Sequence, residues 1–439
     1  MAARLAPVSS PQPAAPDFDL TDAELRRTRS IKWTYPWTAP GHAGGHPGGH
    51  RDVLPAWVAE MDVRPCPPVA AALHEAVDRG VLGYPAPDGA TGVPEATAAV
   101  LARRFGQVVD PARVVLAGDV MAAVRLVLET LCEPAPVVVP LPSYPPFLQV
   151  APLTGRELRF VATGTNGGGL DLDALDAAFA AGARTLLLSS PHNPTGRVWS
   201  RAELEAVRDL AVGYGARVIS DEVHALLTLP GARHTPYAEL DGTADHVTTV
   251  TSASKAFNLP GVKCAQIVAG SDADLRALRA APLVANHGLS PLGAVATVAA
   301  YTDGDAWLDA LLGELQQRTH RFAAVLADRL PGLTWAPPQA TYLAWLDLAP
   351  YLAGLGTEAG GVGGADRADR ADRAERDAAA LVLRRSGLAL GRGADFGPGR
   401  GFPGHVRVTL ATSAERLDRI VERLVTALPD ATGGAAAIG

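Results

Sequence analysis

Short apolar runs recur through the first two thirds of the chain, each closed by a polar turn rich in glycine or proline and followed by a stretch with helical spacing. The runs at 136–141, 184–189, 217–220, 246–251 and 265–269 have strand length and predict buried strands. Ahead of them apolar residues return every three or four positions, as at 68–80 and in the stretch that ends at Leu131. Ser200 and Glu203 form a capping box that opens a helix through Leu210. Strands alternating with helices predict a mostly parallel sheet covered by helices, the α/β class. After about residue 288 the pattern changes to a long helix at 305–330, short strands at 342–346 and 405–410, and a last helix through Leu428 opened by Thr412 and Glu415. These features predict a second, smaller α+β domain.

A chain of 439 residues has room for two domains with their own cores. We expect residues 58–289 to form the large domain, and 17–57 with 290–428 to form the small one. The Pro/Ala/Ser-rich stretch 1–16 and the Ala/Gly-rich stretch 429–439 are expected to be disordered tails. Segment 354–377 carries the triplet ADR three times and then AER, a low-complexity insertion to which no chemistry is assigned. Three histidines at spacing four, His42, His46 and His50, sit among glycines with no cysteine or carboxylate beside them, so no metal site is expected.

Charge and cysteine usage narrow the partners. A net charge of -7, with arginines scattered and no basic run, argues against nucleic acid. No window has the uninterrupted apolar length of a membrane span, and the N-terminus lacks the apolar core of a signal peptide. Three cysteines without CxxC spacing fit a reducing compartment, so a soluble cytoplasmic protein is expected.

One stretch stands out within this composition. The chain has 36 arginines and only three lysines, Lys32, Lys255 and Lys263, and two of the three lie in TSASKAFNLPGVK at 251–263. A guanidinium stays protonated, whereas an amine can lose its proton, attack a carbonyl and form an imine. Lys255, directly after a buried strand, is therefore a candidate Schiff-base nucleophile, while Lys32 reads as a chance surface lysine. The hydroxyls of Ser252 and Ser254 and the cation at Lys263 supply what a pyridoxal 5'-phosphate (PLP) site needs around that amine: phosphate ligands and countercharge. The pattern SxSKxFNxPGxK resembles the PLP-lysine segment of the fold-type I (class I/II) aminotransferase superfamily. Leu54 to Asp62, LPAWVAEMD, with Lys32-Trp33 before it and Gly83-Tyr84-Pro85 after it, is similar to the cystathionine β-lyases of the MalY/PatB type.

That resemblance implies a large PLP-binding domain built on a mostly parallel sheet of the seven-stranded type. It also organises the other candidates. Asp221, where a strand ends, would keep the pyridine nitrogen protonated, although an aspartate there is also a common helix N-cap. Asn193 in SPHNPTG resembles the superfamily's NPTG asparagine and would donate to the cofactor's phenolic oxygen. His224, in DExH, stands where many aminotransferases carry tyrosine, and Glu222 reads as supporting structure. Tyr144 in PSYPPF would stack on the ring. Gly118, Asp119 and Val120 open a helix whose free N–H groups suit a phosphate, with Asp119 a departure because its carboxylate would be repelled. Tyr84 resembles the tyrosine that reaches a neighbouring subunit's cofactor, which implies a homodimer. Arg407, inside a predicted buried strand, fits the α-carboxylate of an amino acid substrate or, alternatively, a structural ion pair. The expected reaction is carbon–sulfur β-lysis of cystathionine-like amino acids, with transamination and a PLP-retaining regulatory role as the other readings.

Overall fold

The computed structural model describes residues 15–35, 53–164, 168–352 and 377–428. The histidine/glycine loop, nearly all of the ADR-repeat insertion and most of both expected tails lie outside the described residues. Eleven strands are present among those described: β1 (Leu54–Ala56), β2 (Val114–Ala117), β3 (Val137–Leu141), β4 (Leu158–Ala162), β5 (Thr185–Ser189), β6 (Arg217–Asp221), β7 (Val247–Thr251), β8 (Ala265–Ala269), β9 (Leu343–Asp347), β10 (Leu388–Arg392) and β11 (His405–Thr409).

Seven of them form one sheet in the order β2-β8-β7-β6-β5-β3-β4, parallel throughout except for β8, which runs against both neighbours. The α/β class and the mostly parallel seven-stranded sheet are thus as expected. Strands β5 and β7 are buried at every position, as continuous apolar or Thr-rich runs should be when helices cover both faces. One face packs against the helix Val120–Leu131. The other is covered by Leu172–Ala180 and Arg201–Tyr214. The second sheet has the order β1-β10-β11-β9 and shares its core with Ala378–Ser386 and Ala414–Ala427.

The 25-residue helix Asp305–Arg329 belongs to two cores at once. Its first half places Trp307, Leu308, Leu311 and Leu315 in the cluster that also holds Met61, Ala253 and Phe257. Its second half places Phe322 and Leu326 under the four-stranded sheet.

Two local expectations are corrected. The last helix is capped by Ser413, whose hydroxyl accepts from the N–H of Arg416 at 3.2 Å, and no capping box forms at Thr412. The Thr412 hydroxyl instead accepts from the Arg416 guanidinium at 3.0 Å. Lys32 is not a surface lysine: it is buried and pairs with Asp62 at 2.8 Å. The Ser200–Glu203 box does form. Strands β1, β2, β4 and β10 have no counterpart among the predicted runs; β4 is an edge strand with Arg159 and Phe160 exposed, so its apolar run is broken. Among the described residues no helix is long and apolar enough to cross a membrane.

Candidate active site

The carboxyl ends of β3, β5, β6 and β7 point into one cavity of about 170 Å³, lined among others by Tyr144, Asn193, Asp221, His224, Ser252, Ser254, Lys255 and Lys263. This is where an open parallel sheet gathers its ligands. Asp221 is the last residue of β6 and is buried. Its Oδ1 accepts from the N–H of Val223 at 3.1 Å, and among the described residues no cation pairs with it. Burial therefore pushes the Asp221 carboxyl up to about 7, against the pull of the Val223 N–H and Lys255. Behind it, Glu222 accepts from Ser220 at 2.8 Å and from the N–H of Tyr237 at 3.0 Å, and it lies 3.1 Å from His234 Nε2. Those bonds hold the turn 221–224 from beneath. His224 is buried, its Nδ1 has no partner among the described residues, and burial keeps its ring neutral, with the cations Lys255 and Arg407 adding to the effect.

Lys255 follows β7 in the turn that Ser252 begins. Its half-buried side chain lines the cavity. Nζ donates to the carbonyl of Ala59 at 3.3 Å, and the hydroxyl of Tyr342 donates to the same carbonyl at 3.0 Å. Burial first and the nearby Arg407 second bring the ammonium down to about 8, with Asp221 and Glu60 opposing. The shift moves this amine toward its neutral form, which both nucleophilic attack and proton abstraction require.

Arg407 on β11, in the second sheet, reaches Asn193, which lines the cavity. Its guanidinium donates to Asn193 Oδ1 at 3.1 Å and to the carbonyl of Trp57 at 3.0 Å, and lies over the Phe396 ring at 5.0 Å. It pairs in register with Gly391, where an added Cβ would stand 3.1 Å from the Arg407 Cβ and 3.3 Å from the Trp57 carbonyl, so any larger residue would crowd both. Among the described residues no carboxylate pairs with Arg407, and its Nε has no partner. Burial lowers it to about 10. A buried guanidinium held by neutral groups alone is a site for an anion.

At the other end, Asp119 caps the helix Val120–Leu131, its Oδ1 accepting from the N–H of Ala122 at 2.9 Å, while Oδ2 pairs with Lys263 at 2.7 Å. The expected clash of this carboxylate with a phosphate is thereby softened, since each oxygen already has a donor. Ser252 donates to the carbonyl of Cys264 at 2.6 Å and accepts from the N–H of Ser254 at 3.1 Å, so its hydroxyl shapes the turn. Gly118 faces Gly288, whose backbone a Cβ would meet at 3.0 Å. Tyr84 lies apart from the cavity and is 92% exposed.

These residues fit PLP. A buried carboxyl without a cation at Asp221, the amine at Lys255 and a helix start beside Lys263 match its ring nitrogen, aldehyde and phosphate. Among the described residues no cluster could hold a metal. Sequence reasoning missed the backbone carbonyls of Trp57 and Ala59, the Tyr342 hydroxyl and the Phe396 ring. The LPAWVAEMD motif carried a signal for the first two; Phe396, in a glycine-rich loop, carried none.

Comparison with known proteins agrees with this geometry. The family model "Aminotransferase class I and II" matches residues 57–424. The chain is similar to the cystathionine beta-lyase of Corynebacterium glutamicum, 34% identical over 408 residues that make up 92% of this chain and 98% of the relative. It is 33% identical to the cystathionine beta-lyase PatB of Bacillus subtilis over 76% of this chain and 85% of that one. A solved Corynebacterium diphtheriae chain assigned as a PLP-dependent β-cystathionase superposes with a TM-score of 0.78 at 32% identity, covering 93% of this chain and 98% of that chain.

Proposed function

This chain belongs to the class I and II aminotransferase family, among PLP-dependent C–S lyases, and on that premise we propose that it cleaves the Cβ–S bond of cystathionine-like amino acids, releasing a thiol, pyruvate and ammonia. The observation that carries the proposal is the buried Arg407, which pairs with no carboxylate among the described residues and is bonded to Asn193, a residue that lines one cavity with Asp221 and Lys255. When bound, PLP supplies an electron sink for the bonds at the substrate's α-carbon. Asp221 would keep the proton on the ring nitrogen, and that cation in turn would hold Asp221 ionised. Asn193, with Oδ1 committed to Arg407, has its amide nitrogen to donate to the phenolic oxygen. Arg407 takes the substrate carboxylate in its fork, and Phe396 keeps the guanidinium flat and dry. Lys255 is the anchor and the base that takes the α-carbon proton. The sulfur would leave Cβ as the thiol, taking up one proton, and water would hydrolyse the remaining 2-aminoacrylate, as its imine, to pyruvate and ammonia; transamination would instead leave the Cβ–S bond intact and pass the amino group to a 2-oxo acid.

The test is incubation with L-cystathionine, with and without a 2-oxo acid. Pyruvate and ammonia formed without an acceptor are expected; acceptor-dependent formation of a new amino acid would replace the lyase by the aminotransferase reading. In the same assay Arg407→Lys keeps the charge but loses the planar fork, so kcat/KM should fall by roughly 1.5–3 kcal/mol, about ten- to a hundredfold. Cofactor content should be unchanged. Normal turnover in a destabilised variant would remove Arg407 from the substrate site.

The working form is proposed to be a homodimer. Tyr84, Leu82, Leu283 and Val284 are all exposed, an apolar set that a second copy could cover while bringing its Tyr84 to this chain's phosphate end. A mass in solution of one 45.4 kDa chain rather than two would end that idea.

A further inference from the structure

The reaction sketched above leaves Lys32 without a part, although it is one of three lysines and fully buried. Its side chain and that of Asp62 are closed to solvent. The same ammonium donates to the carbonyl of Glu60 at 3.1 Å, and Trp33 Nε1 donates to Asp62 Oδ1 at 2.7 Å. The Ser30 hydroxyl binds the Glu60 carboxylate. On the opposite side Asn258, three residues after Lys255, accepts from the N–H of Met61 at 3.0 Å and donates to its carbonyl at 2.9 Å. The N–H of Asp62 is held by the carbonyl of Ala411 at 2.9 Å. All of these contacts fix the strap 60–62. Just ahead of it, the strap presents the Ala59 carbonyl to Lys255 and the Trp57 carbonyl to Arg407.

We propose that the Lys32–Asp62 pair is a positioning device for the Lys255 amine, clamping the strap so that the Ala59 carbonyl stands within reach of that amine. The proposal rests on Lys255 as the cofactor's anchor. A buried ion pair is a weak source of net stability, because desolvation offsets the attraction, but it is directional. A compact ammonium can aim one proton at the carboxylate and another at the Glu60 carbonyl, which the flat fork of a guanidinium does poorly. That accounts for a lysine here in a chain that otherwise relies on arginine. The charged groups that bear on Lys255 are Asp221, Glu60 and Arg407, with neutral His224 nearby. None of them replaces the carbonyl as a hydrogen-bond acceptor for Nζ among the described residues. Without it the charged amine is less favoured.

Lys32→Met alone strands a buried carboxylate and risks not folding, so the decisive variant is Lys32→Met/Asp62→Asn, which removes both charges and keeps an acceptor for Trp33. Two quantities are measured: kcat and KM of the holoenzyme with L-cystathionine, and the pH dependence of PLP capture by the full chain stripped of cofactor. Capture needs the neutral amine. The expected result is a folded variant with kcat reduced about ten- to a hundredfold, KM within about twofold, and a capture midpoint below that of the wild type. Wild-type kcat and midpoint in the folded double variant, whatever its melting temperature, would make the pair purely structural and overturn the inference. Capture does not depend on which amino acid is turned over, so an error in the reaction leaves that readout standing. PLP capture by Lys255→Ala with the wild-type pH profile would instead refute the anchor and the inference with it.

Discussion

Borohydride reduction of the holoenzyme is expected to fix one PLP adduct on the wild-type chain and none on Lys255→Ala. Turnover in the variant should fall by at least about 10⁴-fold, the upper end of what a general base contributes, because one amine is both anchor and base. The fold should survive. Among the described residues Lys255 forms no salt bridge and its amine is held by a single carbonyl bond at 3.3 Å, and its removal takes a cation out of a buried site. A reduced adduct on the alanine variant, at Lys263 for example, would move the centre of the chemistry and sink the assignment as a whole.

Asp221→Asn should do two opposite things. Activity should drop by about 10²–10³-fold, as when a preorganised electrostatic partner is removed. Stability of the cofactor-free protein should rise at pH 8. Burial raises the Asp221 carboxyl from its ordinary 3.8 to about 7 in the fold, so between those values the folded state holds a proton that the unfolded state has released. The contribution of this group is therefore most favourable below pH 4 and is lost as the pH climbs through 7, a difference of a few kcal/mol in order of magnitude. Asparagine has no charge to bury and can still accept from the N–H of Val223. The gain should thus appear at pH 8, vanish near pH 4, and vanish again in the wild type once PLP is bound. A variant less stable at pH 8 without cofactor would contradict the account of Asp221 as a carboxylate waiting for a cation.

How much of this was legible in the sequence depended on what kind of group carried the function. Lys255, Asp221 and Asn193 stood out because each follows a run of strand length, and the structure does bring them to one cavity. Scarcity of lysine was a sound signal that was applied too narrowly: it pointed equally to Lys32, whose burial depends on Asp62 thirty residues away and so has no local signature. Carbonyl oxygens are the same in every residue, so the LPAWVAEMD motif marked the segment that holds Trp57 and Ala59 without showing that their carbonyls are what it contributes. Strands β1 and β2 are three and four residues long, too short for periodicity to separate from loop, and in β10 the apolar run LAL is cut off by Gly391 and Arg392. The stacking of Arg407 on Phe396 required the return of a glycine-rich loop that no pattern foretold.

The economy in lysine has a practical side. Besides the N-terminus, the chain offers an amine-selective reagent only three targets, and they differ in kind. Lys32 is sealed by burial, Lys255 is open only when no cofactor is bonded to it, and Lys263, half exposed at the mouth beside Asp119, is within reach throughout. Acylation followed by intact-mass measurement therefore reads cofactor occupancy against an internal standard on the same molecule, with almost no background from the rest of the surface.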